Sequence, residues 1–444
     1  MPIFTLIILL FFLVSLALRF WNLGQFNTLV FDEVYYAKFA NHYLTRTPFL
    51  NSHPPLTEYL IAVGMWLGSL FPASPDIINN LTGSWRSTLS YRWLNALTGS
   101  FFPLILGAIA YQLTYRRSYT IVVTLLATLE GLFLVESRYA LNNIYLISFG
   151  LLGHLFFLLF VNRGKYLYLT VTGVFLGLSA TIKWNGLGFI LGIYCLIFMV
   201  YISHKFNNLF ELRNLGLFAR IKFNKPFLLL FNLLIVPIFT YSILWLPYLL
   251  LNSEYSLWQI HHKIWSFHQS IGDGLDVHPY CSRWYSWLIM ARPIAYFYEN
   301  KDTPSGTIIY DVHAMGNPIL WWLATGSIIV FVLFVLIILL RKKHNYYFPV
   351  LIFILINYFC NLLPWILVSR CTFLYHYMSA YSFSLLGIGL IIEQCLISTS
   401  IFNRRLGILL LLLISLSFVY WLPIYLGFPL SSEGFTMRML PNWI

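Results

Sequence analysis

The sequence predicts an all-α polytopic membrane protein, and three observations lead to that fold class. Of the 444 residues, 59% are hydrophobic and only 9% are charged, whereas a soluble domain carries about 25% charged residues. The apolar residues form long continuous runs, such as residues 6–18 and 328–340, which a soluble globule cannot bury. These runs lack the short alternating pattern of a β-barrel. The composition therefore excludes a cytosolic enzyme, a disordered tail and a disulfide-stapled mini-protein.

Eleven segments are apolar and long enough for transmembrane helices, because a bilayer core of about 30 Å requires about 20 apolar residues. They are residues 3–20, 91–114, 118–136, 142–161, 166–182, 185–203, 226–251, 319–340, 346–368, 374–398 and 405–424. The first lacks a positive n-region and a cleavage site, so we expect a retained span and not a signal peptide. Residues 57–71 are apolar but short, and we expect a helix at the membrane interface there.

Basic residues predict the orientation of these spans. With the N-terminus in the cytoplasm, the inner loops carry 14 basic residues against one acid, Glu211. The basic residues are Arg116, Arg117, Arg163, Lys165, Lys205, Arg213, Arg220, Lys222, Lys225, Arg341, Lys342, Lys343, Arg404 and Arg405. Counting 57–71 as a span would move these clusters outside, so the positive-inside rule favours eleven spans and an outer C-terminus. The net charge of +12 is therefore a topology signal and does not indicate nucleic-acid binding.

The whole chain, residues 1–444, is predicted to form one membrane-embedded domain with two long outer segments, 21–90 and 252–318. Both are rich in Trp, Tyr, His, Pro and charged residues, and function is expected in such loops. Three cysteines lie within spans, where a thiol behaves as a small apolar group. Cys281 and Cys371 are both on the outer side. Whether they pair depends on a distance that the sequence does not give.

The adjacent acids Asp32 and Glu33 are the strongest candidates for catalysis. They follow the first span by about a dozen residues, and a carboxylate beside a lipid interface is suited to general-base work because partial burial raises its pKa. The alternative is a solvated acid that caps the next helix. The nearby sequence His53-Pro54-Pro55 favours catalysis, since two prolines stiffen the loop that would hold such a base.

Four cations, Arg92, Arg138, Lys183 and Arg370, lie at outer ends of predicted spans. Cations at a membrane edge are costly unless they are paired or used. Gathered around one vestibule, they would bind the phosphate of a lipid. The alternative is that each one extends separately to the lipid headgroups as a topology anchor.

No cofactor is expected from the motifs. The outer histidines are His42, His53, His261, His262, His268, His278, His313 and His376, and their spacings match no compact metal motif. Gly-rich nucleotide-binding loops are also lacking in the sequence. A sugar donor, if the protein uses one, need not be a nucleotide sugar.

Eight stretches together resemble the protein O-mannosyltransferase family of polyprenyl-phosphate-mannose-dependent enzymes. They are FDEVYYAKFA, HPPLTEYLI, RWLNALTG, ESRYALNN, GLSATIKWNGLGF, HPYCSRWYSWLIMARPIAYFYE, MGNPILWW and RCTFLYHYMSA. The resemblance implies the C-type glycosyltransferase fold, with eleven spans and the N-terminus inside. The family's catalytic base falls on Asp32, and Glu33 would orient the acceptor or a cation partner. Residues 278–298 would supply aromatic surfaces for the sugar.

The resemblance further implies an inverting transfer of a mannosyl or related residue from a polyprenyl-phosphate sugar to Ser or Thr hydroxyls of exported proteins. The four cations would bind the donor phosphate, and His53, His278, Arg292 and His376 would bind substrate. The chain would be a bacterial plasma-membrane enzyme with its active site on the outer face. Whether it forms an oligomer is left open by the resemblance. Its partners would be the lipid donor, a secreted or membrane protein acceptor and the bilayer, without nucleic acid or a metal.

The chain departs from the family in three respects. It has Asn142-Asn143 where the family has an acid after the ESR motif, and Glu58 where Lys is usual. Residues 252–318 are too few for the β-trefoil domain of eukaryotic members. These departures leave donor and acceptor open, so a same-fold transferase acting on a glycolipid or cell-wall polymer is an alternative. A lipid transporter is disfavoured because the spans hold few acids, Glu130 and Glu393 with Glu136 at a span end. A purely structural subunit would not require the acid pair and the cations.

Overall fold

The computed structural model describes residues 2–205, 212–221, 223, 225–304, 306–341 and 345–443, with the backbone alone for residues 2 and 212–215. Several residues of the orientation argument lie outside the described residues: Glu211, Lys222, Lys342, Lys343 and the side chain of Arg213.

Helices dominate the fold. The first ten are α1 (Pro2–Phe20), α2 (Glu33–Thr45), α3 (Leu56–Gly68), α4 (Thr88–Thr114), α5 (Arg117–Thr128), α6 (Gly131–Arg138), α7 (Asn143–Arg163), α8 (Tyr166–Ile182), α9 (Leu187–Lys205) and α10 (Pro226–Leu230). They are followed by α11 (Val236–Ile243), α12 (Leu246–Leu251), α13 (Leu257–Ser270), α14 (Trp284–Trp287), α15 (Pro318–Arg341), α16 (Phe348–Leu362), α17 (Met378–Ile397), α18 (Ile401–Leu426) and α19 (Ser432–Thr436).

Nine helical segments in the described part of the chain are long and apolar enough to cross a membrane, and a tenth candidate is the bent pair α5–α6. The predicted span 166–182 corresponds to α8, which is apolar but only 17 residues long. Each of the eleven predicted spans thus coincides with helix. The multi-span helical fold is confirmed, whereas the exact count of eleven stays a prediction.

Two predicted spans are not the continuous helices that the sequence indicates. The segment 118–136 bends by 58° between α5 and α6, where the Glu130 side chain caps α6 by accepting from Phe133 N at 3.0 Å. The segment 226–251 consists of α10, a π-helical turn at Phe231–Ile235, α11 and α12. This irregular helix packs on α8, where Gly173 and Gly177 face its backbone so closely that a Cβ atom would clash. Small residues permit such close packing of membrane helices.

Both outer segments, 21–90 and 252–318, contain short β-strands, and the all-α prediction did not include these strands. Strands β1 (Ile78–Asn79) and β2 (Arg86–Ser87) pair in the first outer segment. In the second, β3 (Ile294–Thr303) and β4 (Gly306–Ala314) form an antiparallel hairpin, and β5 (Leu430–Ser431) pairs with β4. The order of this sheet is β3-β4-β5, so β3 lies at its edge.

The larger hydrophobic core joins most of the helices with the base of the hairpin, and a separate cluster packs Tyr248 of α12 and Ile260 and Ile264 of α13 around Phe49. Within the larger core α7 packs on α4 and α8, and α17 packs on α16, α18, α15 and α5. Three residues at predicted cytoplasmic span ends meet: Arg116 pairs with Glu393 at 3.0 Å and donates to the Tyr347 hydroxyl at 2.7 Å. The predicted outer segments meet elsewhere, around Asp32.

Candidate active site

Asp32 lies at the start of α2 with its carboxylate partly buried. The side chain makes no capping hydrogen bond to the helix, so the capping alternative does not hold. The preceding Phe31 has a φ of 50°, which is uncommon for a bulky residue. Its ring stacks on Tyr296 with centroids 4.1 Å apart, and this contact stabilises the strained turn. Among the described residues, the Asp32 carboxylate has no hydrogen-bond partner.

Glu33 occupies a different environment from its neighbour. It is fully buried and forms a bidentate ion pair with Arg92, with distances of 2.9 Å and 2.8 Å. Its oxygens also accept from Val30 N and Ala140 N, each at 2.8 Å. Glu33 therefore fixes the loop and has no free face for chemistry. The predicted catalytic role does not fit this geometry, whereas the expected cation partner is present.

Arg92 is fully buried in this ion pair. Beyond Glu33, its guanidinium donates to the carbonyls of Leu23, Phe26 and Thr28 at 3.1, 3.1 and 2.7 Å. These contacts use its donors within the protein. The predicted phosphate-binding role does not fit, because an Arg whose fork is already occupied cannot bind phosphate oxygens as well.

Arg138 also has a structural environment. Its side chain is buried, and Nη1 donates to the carbonyls of Leu18, Arg19 and Trp21 at 2.9, 3.2 and 2.7 Å. These carbonyls terminate α1, and a cation at a helix C-terminus is stabilised by the helix dipole. Arg138 thus tethers α6 to α1, and its predicted phosphate contact does not fit this position.

Lys183 is the predicted cation whose charge acts on Asp32, and Arg370 acts in turn on Lys183. Burial raises the pKa of Asp32 to about 6, and the positive charge of Lys183 opposes that shift. Burial also lowers the pKa of Lys183 to about 8, with Arg370 adding to the decrease and Asp32 opposing it. Lys183 is nearly enclosed, and its Nζ lies 5.2 Å from the Tyr375 ring centroid. Arg370 is partly exposed. These charges form one electrostatic cluster.

Histidines surround the same cluster. His376 is buried, with Nε2 3.4 Å from Lys183 Nζ. The His53 ring stacks on Tyr36 and lies 5.1 Å from His268. Burial, with the charges of Lys183, His268 and Arg370, lowers the pKa of His53 well below its usual range. His53 is therefore neutral at pH 7, and offers hydrogen bonds but no charge.

Two other predicted substrate residues lie farther from Asp32 along the outer segment. The His278 ring contacts Phe373 with centroids 5.0 Å apart, and Phe373 stacks on Tyr375, so His278 borders the cluster. Arg292 donates to the carbonyls of Pro279 and Asn442 at 3.1 and 2.9 Å. Arg292 therefore ties the C-terminal segment to the outer segment, which does not fit a direct substrate contact.

The structure adds two residues that the sequence analysis did not select. Glu136 is fully buried, and its carboxylate accepts from the hydroxyl of Tyr296 and from Asn143 Nδ2. Tyr296 also stacks on Phe31, the residue before Asp32, so Glu136 is linked through Tyr296 to the Asp32 loop. The ESR motif contains this acid, but the search for phosphate ligands selected only its arginine. Tyr296 lay within an aromatic run that gave no reason to prefer it.

A disulfide bond joins Cys281 to Cys371 with Cα atoms 5.2 Å apart, which resolves the question left open by the sequence. It lies next to Arg370. Backbone bonds between Ser282 and Thr372 and between Cys371 and Gly272, each 2.8 Å, connect the same segments. The disulfide and these hydrogen bonds together fix the position of the Arg370 loop against the second outer segment.

No group of three or more His, Cys, Asp or Glu side chains among the described residues is arranged to hold a metal ion. The chemistry that the site offers is that of a partly buried carboxylate opposite two cations. A carboxylate whose pKa is about 6 accepts a proton from a hydroxyl, and the cations stabilise negative charge on a leaving group.

Family models match almost the entire chain. Residues 9–246 match the model of dolichyl-phosphate-mannose-protein mannosyltransferases, and residues 253–443 match the C-terminal four-helix transmembrane region of protein O-mannosyltransferases. The chain belongs to this family. It is accordingly a membrane glycosyltransferase of the protein O-mannosyltransferase type, as the eight stretches implied.

Relatives of this mannosyltransferase agree over its full length. The polyprenol-phosphate-mannose–protein mannosyltransferase of Mycolicibacterium smegmatis is 25% identical over 96% of this chain and 90% of its own. The Saccharomyces cerevisiae Pmt1-Pmt2 complex bound to the sugar donor contains a chain that superposes with a TM-score of 0.83. That match has 16% identity and covers 99% of this chain and 92% of the other. ArnT from Cupriavidus metallidurans, bound to undecaprenyl phosphate, matches with a TM-score of 0.52 and 13% identity, over 98% and 75% of the two chains. These likenesses confirm the C-type glycosyltransferase fold.

Proposed function

We propose that this enzyme transfers a mannosyl residue from a polyprenyl-phosphate sugar to Ser or Thr hydroxyls of exported proteins, with inversion at the anomeric carbon. The observation that carries the proposal is Asp32. It is a partly buried carboxylate without a protein hydrogen-bond partner among the described residues, and it interacts with the charge of Lys183, on which Arg370 also acts. The curated bacterial relatives are named for this donor and for protein acceptors.

In the proposed reaction the Asp32 carboxylate accepts the proton of the acceptor hydroxyl as its oxygen attacks the anomeric carbon. The bond from that carbon to the phosphate oxygen breaks on the opposite face, so a β-linked donor gives an α-linked product. The electron pair of the broken bond remains on the polyprenyl phosphate. Lys183 and Arg370 stabilise this charge as it develops, and no metal is needed for the step as written.

Glu136 and Tyr296 have positioning roles in this proposal. The Tyr296 hydroxyl donates to Glu136, and its ring stacks on Phe31, directly before Asp32. Tyr296 thus connects the base to the ESR motif. Groups held in this way keep the reacting atoms within the narrow geometry that catalysis requires.

The proposed location is a bacterial plasma membrane, with the N-terminus in the cytoplasm and the active site on the outer face. The positive-inside distribution supports this orientation, and bacterial relatives of nearly full length support the proposed membrane. A second copy or a related subunit is a further proposed partner, because the yeast structure is a complex of two such chains.

The test is mannosyl transfer in membranes by wild-type protein and the Asp32→Asn variant, with labelled polyprenyl-phosphate mannose and a Ser/Thr peptide. The amide retains the shape of the side chain but cannot take the proton, so we expect transfer to fall by about 10²–10⁴-fold. Asp76→Asn is the matched control, since Asp76 lies exposed in the same outer segment. Near-normal transfer by folded Asp32→Asn protein would refute the assignment. Transfer to a glycolipid in place of the peptide would favour the alternative acceptor.

A further inference from the structure

A cleft of about 680 Å³ opens beside the Asp32 loop. The lining residues are Gln25, Phe26, Asn27, Thr28, Phe297, Tyr298, Glu299, Lys301 and Tyr310. One wall is therefore the loop that leads to Asp32, and the other is the β3–β4 hairpin. Polar groups and aromatic rings alternate in this lining, which suits a polar chain better than a lipid tail.

The hairpin wall carries an unpaired strand edge. In the sheet order β3-β4-β5, β3 has a partner on one side only. Among the described residues, no backbone hydrogen bond joins residues 298–302 to any segment other than β4. The side chains of residues 298–302 are exposed. A free edge of this kind is a template for another extended chain, because its N–H and C=O groups lack partners.

The inner end of this edge adjoins the catalytic base. Phe297 packs on Phe26 with centroids 4.1 Å apart, and Tyr296 stacks on Phe31 at the same distance. Phe31 directly precedes Asp32. β3 thus passes beside the base and continues outward along the cleft, and the five steps from Tyr296 to Lys301 span about 17 Å at about 3.3 Å per residue.

We propose that an extended segment of the acceptor polypeptide adds as a strand to the free edge of β3, with its Ser or Thr at the Asp32 end of the cleft. The inference rests on the proposed function, since it names how the protein acceptor binds. Main-chain pairing is largely independent of side chains, so it suits an enzyme whose acceptor must supply only a hydroxyl. Glu299 and Lys301 line the cleft and pair with each other at 3.5 Å, so charged residues that flank the acceptor hydroxyl would exchange with this exposed pair.

An alternative is that the charged residues merely protect an idle edge from aggregation, as Lys does on many edge strands. A scan of acceptor peptides separates the two. Each synthetic peptide contains one Thr and one N-methylated residue, placed in turn at successive positions. N-methylation removes one backbone donor, so strand pairing predicts that KM rises at every second position only. A lost hydrogen bond corresponds to about a threefold to tenfold change.

Photocrosslinking supplies the spatial readout. Benzoylphenylalanine replaces Lys301 in the cleft or, as the matched control, Leu275, which is exposed elsewhere in the second outer segment. We expect the peptide to crosslink at position 301, with competition by unlabelled peptide, and not at 275. Wild-type transfer to the unmethylated peptide tests the proposed function separately. If that transfer occurs but N-methylation has no alternating effect and position 301 does not crosslink, strand addition is refuted while the proposed function stands.

Discussion

Replacing Arg92 should lower the stability of the protein and should not act by removing a contact to the donor. The guanidinium forms a bidentate, fully buried pair with Glu33 and donates to three carbonyls of the loop that carries Asp32. Arg92→Leu would leave the Glu33 carboxylate buried without its cation. Breaking a buried pair in this way costs about 3–5 kcal/mol, which is a large part of the about 5–15 kcal/mol that stabilises a typical protein.

The assay is thermal unfolding of detergent-solubilised protein, followed by the fraction that remains monodisperse after heating. We expect a clearly lower unfolding temperature for Arg92→Leu, and partial recovery in the Glu33→Leu/Arg92→Leu double variant, which leaves no unpaired buried charge. Lys183→Leu is the comparison, because Lys183 lies at the site without a carboxylate ion pair. An Arg92→Leu protein that unfolds like wild type but no longer uses the donor would restore the phosphate-binding role and refute the structural one.

Three further predictions follow from the site and its surroundings. Activity should rise as pH increases through about 6, where Asp32 loses its proton, and fall as pH increases through about 8, where Lys183 loses its charge; a kcat/KM profile tests this, and Lys183→Arg should abolish the upper limb. A reporter fused after Arg341 should be cytoplasmic and one at the C-terminus outside; the same side for both would contradict the odd span count. Cys371→Ser should lower thermal stability by about 2–5 kcal/mol and weaken donor use, whereas Cys195→Ser, which removes a free thiol, should do neither.

Hydrophobic length allowed most of the fold to be predicted, because each span is determined by its own residues. The failures occur where distant segments decide the outcome. The bend between α5 and α6 depends on Glu130, which accepts from Asn317 N at 3.2 Å as well as capping α6. Locally, Glu130-Gly131 is compatible with the start of a new helix, since α6 begins at Gly131 with Glu130 as its N-cap. The β3–β4 hairpin was missed because the aromatic residues of its first strand were assigned to sugar contacts.

The candidate site shows the same division. Residue type and position at the outer span ends selected Asp32, Lys183 and Arg370, which the structure brings together. The same criteria selected Arg92, whose guanidinium bonds Glu33 and backbone carbonyls, and Arg138, whose buried Nη1 donates to carbonyls at the end of α1. A sequence shows that a cation is present at a membrane edge, but not whether a carbonyl has already occupied it. Only the tertiary structure shows which donors of a guanidinium are occupied: in Arg370 only Nη1 has such a bond among the described residues, to the Cys371 carbonyl at 3.0 Å, and the side chain is partly exposed.

The two adjacent acids differ in their hydrogen bonding, and this difference supports different roles for them. Glu33 has four hydrogen bonds, from Arg92 and from the two backbone amides, so its lone pairs are occupied and the loop is fixed. Asp32 shares that fixed loop but accepts none of these bonds, and burial raises its pKa to about 6. Environments that separate neighbouring carboxylates in this way assign them different roles. The strained φ of Phe31 follows from the same division, because the chain must turn sharply between the buried pair and the open cleft.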